Sequence, residues 1–320
     1  MSDRITSPFG ARTPARDAAA GHDLTYKSVI VTGASTGIGV ETARAFAEIG
    51  AVVTLAVRDL EAGEAVAQSI NATASGPQVA VAKLDLADLN SVRAFVDAWG
   101  GKPLHILVNN AGVMACDPSC TAQDLEMQIG VNHFGHSLLT LLLAPNLEKA
   151  AKPGRTARVV QLTSGSHRQS AMRWNDVHFR STPYDRWEAY GQSKTANALF
   201  AVEFSKRFAD RGVTANAVHP GGIRTRLQRH VTPEERLRRG WGPEDQPSPK
   251  LKTLEQGAST SVWAALGAEL EGIGGLYLED CAQALPAEAG QAYGGVWPWA
   301  LDPEEAARLW SLTRETVGAG

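Results

Sequence analysis

Residues 27–39 read Lys-Ser-Val-Ile-Val-Thr-Gly-Ala-Ser-Thr-Gly-Ile-Gly, a short β-branched run that ends in a glycine-rich turn and opens a helical stretch over residues 39–49. Gly33, Gly37 and Gly39 permit a tight reversal. They also let the backbone and the helix N-terminus come close to a pyrophosphate, whose charge is favoured by exposed N–H groups and the helix dipole. A purely structural strand-to-helix turn would use Gly33 and Gly39 as well. The strand before the turn and the helix after it favour dinucleotide binding, through Gly33, Ser35, Thr36, Gly37, Ile38 and Gly39. No Gly-Lys-Ser/Thr follows, so the lysine and magnesium handle of nucleoside triphosphate hydrolysis is missing.

Outward from this turn the pattern alternates. AVVTLAV (51–57), QVAVAKLD (78–85), HILVNN (105–110), ARVVQLTS (157–164) and VTANAVHP (213–220) read as strands, separated by helical stretches at 59–70, 90–99, 122–144 and 188–209. A helix over 254–266, a short strand near 275–278 and a last helix over 303–317 complete the chain. Strands alternating with helices of ten or more residues imply a parallel sheet between helical layers, and the near-continuous aliphatic strands suit burial on both faces. The expected fold class is therefore α/β, a Rossmann-type three-layer sandwich with a mostly parallel sheet of approximately seven strands. Residues 1–26 show neither period and read as a lead segment, ordered only where it lies on the body. Residues 27–320 read as a single domain. A charged, Pro-rich excursion at about 221–250 reads as a substrate lid.

Composition narrows the function. The 320 residues carry 31 Lys and Arg against 34 Asp and Glu, a net charge of -3, with 43% apolar and 20% charged residues. That gives no global basic field for nucleic acid or a lipid surface, and it is not a disordered composition. Cys116, Cys120 and Cys281 are too few for a disulfide framework and lack the second pair of a structural zinc site, so no metal is expected. The N-terminus MSDRITSPFGARTPARDAAAGHD has no apolar stretch after its basic residues, and the aliphatic run at 138–144 is too short to span a bilayer. No membrane association and a cytoplasmic, reducing setting are expected.

Two positions point to chemistry. Strand two ends Ala56-Val57-Arg58-Asp59. An acidic residue there would accept from ribose hydroxyls and repel a 2'-phosphate, whereas Arg58 offers a planar donor set to that phosphate. NADP is therefore expected, with NAD left open by Asp59 and by the alternative that Arg58 is a surface residue paired to it. Tyr190 and Lys194, four apart, share one helical face. An ammonium beside a phenol favours the phenolate and suits acid–base work near neutrality, although the same spacing also occurs as a structural pair.

The combination of TGASTGIG, NNAG at 109–112, Ser164 after the fifth strand, and Tyr190-Gly191-Gln192-Ser193-Lys194 resembles the short-chain dehydrogenase/reductase family over residues 26–310. VNHFGHSLLTLLL, HPGGIRT and GLYLEDC are similar to its retinol dehydrogenase and protochlorophyllide reductase branch and that branch's bacterial relatives. The resemblance implies that residues 27–320 are an NAD(P)-binding catalytic domain, that Tyr190 is the acid/base and that Ser164 polarises the substrate oxygen. It gives Lys194 the nicotinamide ribose and the lowering of the tyrosine pKa, and Asn132 a water-linked proton relay. It also makes Asp85, with Leu86, an adenine contact, and Asn110, Ala111 and Gly112 a cleft wall. Pro220, Gly221, Gly222, Ile223 and Thr225 would close over the nicotinamide. Gln161-Leu162-Thr163-Ser164 and Ser35 depart from the usual pattern without removing a catalytic group; Thr163 reads as structural and Ser166 as lying past the strand end. His219 reads as a packed or hydrogen-bonded histidine.

The reaction implied is reversible hydride transfer between NADP(H) and a small-molecule carbonyl or alcohol substrate with an apolar body. A nonenzymatic NADP-binding sensor or scaffold of the same fold is the alternative, or an epimerase or double-bond reductase using the same cofactor. Substrate walls are expected from His167, Met172, Trp174, Phe179, Tyr184 and Trp187 and from the stretch 226–241. Trp174 and Trp187 could equally pin a loop, and Arg236, Arg238 and Arg239 could equally be a solvated helix face. A homodimer or homotetramer would use the helices around 125–143 and 189–208, whose apolar faces the sheet could instead consume.

Overall fold

Strand β1 (Ser28–Thr32) pairs in parallel with β2 (Val52–Val57) on one side and with β4 (Ile106–Asn109) on the other. The glycine-rich turn therefore lies at the middle of the sheet. The computed structural model describes residues 4–243, 245–288 and 294–319. With β3 (Ala80–Lys83), β5 (Ala157–Leu162), β6 (Val213–His219), β7 (Tyr277–Glu279) and β8 (Ala282–Gln283), the sheet order is β3-β2-β1-β4-β5-β6-β7-β8. All neighbours run parallel except β7 and β8. The eighth strand is a two-residue antiparallel return within the stretch that sequence reading left unassigned after 278. Strand order reverses between β1 and β4, which opens a crevice at their carboxyl ends.

One face of the sheet is covered by α2 (Ile38–Glu48), α3 (Leu60–Asn71) and α9 (Leu254–Leu266). The other is covered by α4 (Leu89–Trp99), α6 (His136–Ala150), α7 (Arg186–Phe208) and α10 (Pro303–Val317). The strands are aliphatic on both faces because each face supplies part of a different core, and β5 is buried at every position. Phe200 and Phe204 of α7 pack on Trp310 of α10, so the chain itself engages the apolar side of α7 that was expected to serve self-association.

Two elements differ from the sequence reading, and the short helix it allowed in the excursion is present. The helical stretch expected over 122–144 begins only with the single turn α5 (Met127–Ile129), continues through a π-helical segment (Gly130–Gly135), and enters α6. The lead segment contains a short helix, α1 (Ala15–Ala19), whose buried Ala15, Ala18 and Ala19 pack on α9 and α2. Three alanines carry no recognisable period, so only the facing helices make this segment helical. The excursion contains α8 (Pro233–Arg238), capped by the Thr232 side chain.

Candidate active site

The carboxyl ends of the parallel strands surround a cleft of about 1320 Å³, above the roughly 300–1,000 Å³ of a single small-ligand site and suited to a cofactor with a substrate. At the glycine-rich turn after β1, Gly33 has φ 64°, and a Cβ there would stand 2.7 Å from the Ala111 backbone. Gly37, also left-handed at φ 71°, begins α2, and no side chain caps that helix. Side chains of Asp59, Asp88, Asp185, Thr253 and Asp302 do cap α3, α4, α7, α9 and α10. The uncapped first turn of α2 leaves amide donors toward the cleft, where Ser35, Thr36, Gly37 and Ile38 form the lining. Gly39 is not in that lining: a Cβ there would meet Asn110 Nδ2 at 2.5 Å, so its smallness serves helix-to-strand packing.

At the β2–β3 end, Arg58, Asp59, Asp85 and Leu86 line the cleft. Asp59 accepts from the Ala62 amide as the α3 cap and forms no ion pair with Arg58 among the described residues. Asp85 accepts from the Ala87 amide. Asn110, Ala111 and Gly112 form a wall fixed to β1: the Asn110 and Ala111 amides donate to Thr32 Oγ1 at 2.9 and 3.0 Å, and Asn110 Nδ2 donates to the Thr32 carbonyl at 2.7 Å.

Thr32 also reaches a histidine that sequence reading did not single out. Its Oγ1 lies 2.8 Å from His136 Nε2, while His136 Nδ1 lies 3.0 Å from the Asn132 carbonyl. With Thr32 Oγ1 accepting two amides, its proton goes to Nε2, which places the histidine proton on Nδ1. Burial holds His136 neutral, its pKa pulled down to about 3. Asn132 itself is fully buried and absent from the cleft lining. Its amide donates to the Val113 carbonyl and to Ser193 Oγ, and Ser193 donates to the Tyr190 carbonyl at 2.8 Å. Asn132 thus fixes the turn of α7 that presents the tyrosine.

Ser164, Tyr190 and Lys194 converge in the cleft. Burial pushes the Tyr190 phenol up to about 12, and hydrogen bonding with Ser164 offsets part of that rise. Burial pulls Lys194 down to about 7; its Nζ donates to the Leu162 carbonyl at 3.2 Å and lies 5.6 Å from the Tyr190 ring centroid. Before any cofactor is bound, desolvation rather than the lysine charge therefore governs the tyrosine. Thr163 is structural, its hydroxyl donating to the Lys194 carbonyl at 2.7 Å. Ser166 lies in the 3₁₀ turn beyond the strand.

Pro220, Gly221, Gly222, Ile223 and Thr225 line the opposite wall. His219 Nδ1 accepts from the amides of Gly165, at 3.2 Å, and Gly221, at 3.4 Å. One neutral imidazole thereby ties the serine turn to the glycine turn after β6. The cleft as a whole is basic, with nine lysines and arginines against four acids in its lining, although the chain is net acidic. Such a wall favours a polyanionic ligand.

A model of the short chain dehydrogenase family matches residues 27–236. A "Probable oxidoreductase" of Streptomyces lividans is 44% identical over 93% of this chain and 100% of that protein. The chain belongs to the short-chain dehydrogenase/reductase family. Human retinol dehydrogenase 12 is 42% identical over 92% of this chain and 87% of its own. A crystal structure of a protein from Mycobacterium paratuberculosis superposes with a TM-score of 0.71 at 33% identity, covering 94% of this chain and 97% of the other.

This short-chain dehydrogenase/reductase is thus an oxidoreductase by family, and its cleft fits the nicotinamide cofactors that the family binds. Several expected substrate walls lie elsewhere. His167, Met172, Trp174, Phe179, Tyr184 and Trp187 are outside the lining, whereas Arg226, Leu227, Gln228, Arg229, Arg239 and Trp241 are in it. His167 is buried beneath Ser164, accepting from the Trp297 amide and meeting the Ser164 carbonyl at 2.9 Å. Trp174 donates to Glu305 and Trp187 to Glu235, so one indole pins a loop to α10 and the other ties α7 to α8. Sequence reading also missed Arg12, which lines the cleft while donating to the carbonyls of Pro249 and Leu251. No local signal marks it, because its partners lie more than 230 positions away. Among the described residues no cluster of potential metal ligands occurs, and no helix is long and apolar enough to cross a membrane.

Proposed function

We propose that the chain is an NADP(H)-dependent oxidoreductase acting on a carbonyl or alcohol, with Tyr190 exchanging the proton at the substrate oxygen. The convergence of Tyr190, Ser164 and Lys194 in a basic cleft beside an uncapped helix N-terminus carries this reading. The nicotinamide, when bound, supplies or takes up the hydride. In the reductive direction the Tyr190 hydroxyl donates its proton to the developing alkoxide while the Ser164 hydroxyl donates a second hydrogen bond. Lys194, drawn toward neutrality by burial, would hold the nicotinamide ribose, and as an ammonium its charge would oppose the desolvation that raises Tyr190. Asn132 Oδ1 and Lys194 Nζ both adjoin Gly112, a Cβ at which would stand 3.1 and 3.8 Å from them, so a water-linked proton path to Tyr190 has anchors there.

The unshared Arg58 guanidinium and the use of Asp59 as a helix cap support NADP over NAD. Residues 27–320 act as one catalytic unit with 221–250 as its lid, and the three free thiols are consistent with a reducing cytoplasmic setting. The retinol dehydrogenase relative supports an apolar substrate body. A screen of aldehydes, ketones and secondary alcohols with both cofactors tests the reading. Tyr190→Phe should lower turnover about 10²- to 10⁴-fold, the usual worth of a positioned general acid, while leaving NADPH binding intact. Near-wild-type turnover by that variant would sink the assignment.

A further inference from the structure

The lid places one cation in the substrate end of the cleft in an unusual state. Around Tyr190 the lining is apolar: Met114, Leu227 and Trp241 contribute to it, and Trp187 packs against the same cluster from outside the lining. Trp187 meets the Tyr190 ring edge-on at 6.5 Å and the Trp241 ring at 6.2 Å. The guanidinium carbon of Arg239 stands 3.4 Å from the Trp187 ring centroid and 5.8 Å from that of Trp241. Phenol and guanidinium therefore flank the same indole, and both line the cleft.

Arg239 is poorly compensated. Its side chain is 29% exposed, and among the described residues its carboxylate partner is Glu235, with the oxygen 3.9 Å away. That carboxylate is already engaged at 2.6 Å by Arg186 and at 2.6 Å by Trp187 Nε1. Nε of Arg239 has no hydrogen-bond partner among the described residues. Two guanidiniums thus share one carboxylate, and stacking on indole holds the plane of Arg239 while leaving its buried Nε unmatched. A donor stripped of water and left unmatched is costly, and a planar fork of donors is matched by a carboxylate held through two parallel hydrogen bonds. The solvated-helix reading describes Arg238, whereas half-buried Arg236 donates to the Gln228 carbonyl at 3.4 Å; neither lines the cleft.

We propose that Arg239 is the anion-recognition residue of the substrate site, and that the preferred substrates are carbonyl compounds bearing a carboxylate on an apolar body. The inference rests on the oxidoreductase reading above. The carboxylate is a handle and is unchanged in the reaction: the carbonyl carbon gains the hydride from NADPH, and its oxygen gains the proton from Tyr190. Holding the far end of the substrate between Arg239 and Trp241 orients the carbonyl toward Tyr190 and Ser164.

Matched acid and methyl ester pairs test this, including 4-formylbenzoate, a cyclohexane analogue and a medium-chain oxo-acid, assayed with NADPH on wild type, Arg239→Met and Arg239→Lys. We expect wild type to prefer the acids about 10- to 100-fold in kcat/KM, the range of a charge-assisted contact. Arg239→Met should abolish that preference while ester turnover and NADPH affinity hold, and Arg239→Lys should retain part of it. Ester turnover with no preference for acids in wild type overturns the proposal and leaves the oxidoreductase reading standing. Equal loss on acids and esters in Arg239→Met, or a loss of NADPH affinity, also overturns it by giving Arg239 a structural or cofactor role. Absence of NADPH oxidation with every pair and throughout the wider carbonyl screen overturns both.

Discussion

Replacing Arg58 by alanine should separate the two nicotinamide cofactors. Arg58 is exposed, lines the cleft, and pairs with no carboxylate among the described residues; only its backbone carbonyl is engaged, accepting from Lys83. Its interaction with a 2'-phosphate is therefore a surface interaction in high dielectric. At about 4 Å, two unit charges in water attract by about 1 kcal/mol, so a dianionic phosphate contributes about 2 kcal/mol, and the concave wall raises this to about 3. That corresponds to a roughly 30- to 150-fold weaker NADPH complex. NADH affinity should stay level, because Asp59, the neighbouring acid, is held as the α3 cap and does not depend on Arg58. Fluorescence titration of both cofactors at low and high salt measures the effect, which should shrink as salt screens the exposed charge. Equal weakening of NADPH and NADH in Arg58→Ala, or a wild type that binds both equally, would refute the assignment of Arg58 to the phosphate.

Acid lability is a second expectation. Burial lowers His105 and His167 to about 4 and His133, His136 and His219 to about 3, so all five stay neutral in the fold but take up protons near 6.5 once unfolded. Because the unfolded chain then binds more protons, stability is lost as pH falls from about 6.5 toward 4, with each such histidine adding up to about 1.4 kcal/mol per pH unit. Urea midpoints that stay level from pH 6.5 to 4.5 would contradict this. Gly33→Ala should cost about 1–3 kcal/mol, since a Cβ at φ 64° strains the backbone and strikes Ala111. A thermal midpoint equal to wild type, with unchanged cofactor affinity, would show that the turn relaxes freely.

Much of the site was legible because its parts are local. The turn at 33–39 and the Tyr190–Lys194 spacing are each set within one element, and parallel strands bring their carboxyl ends to one edge. Orientation was not legible. Gly39 and Asn132 carry the expected residue types, yet both face inward, one against Asn110 and the other against Val113 and Ser193. Trp174 and Trp187 looked like pocket walls, but their indole N–H groups find Glu305 and Glu235, partners a single sequence does not reveal.

By itself the sequence determined the alternating strands and helices, the glycine-rich turn and the placing of Tyr190 and Lys194 on one helical face, because periodicity, glycine stereochemistry and helical spacing act over a few residues. Tertiary structure alone decided which charges face the cleft and in what state. Arg12 arrives from a lead segment made helical by α2 and α9, and Arg239 is left half-matched because Arg186 and Trp187 occupy Glu235. Lys194 is drawn toward neutrality by strands and loops far along the chain. Desolvation and charge pairing sum over everything nearby in space, so they enter only when the chain has closed around them.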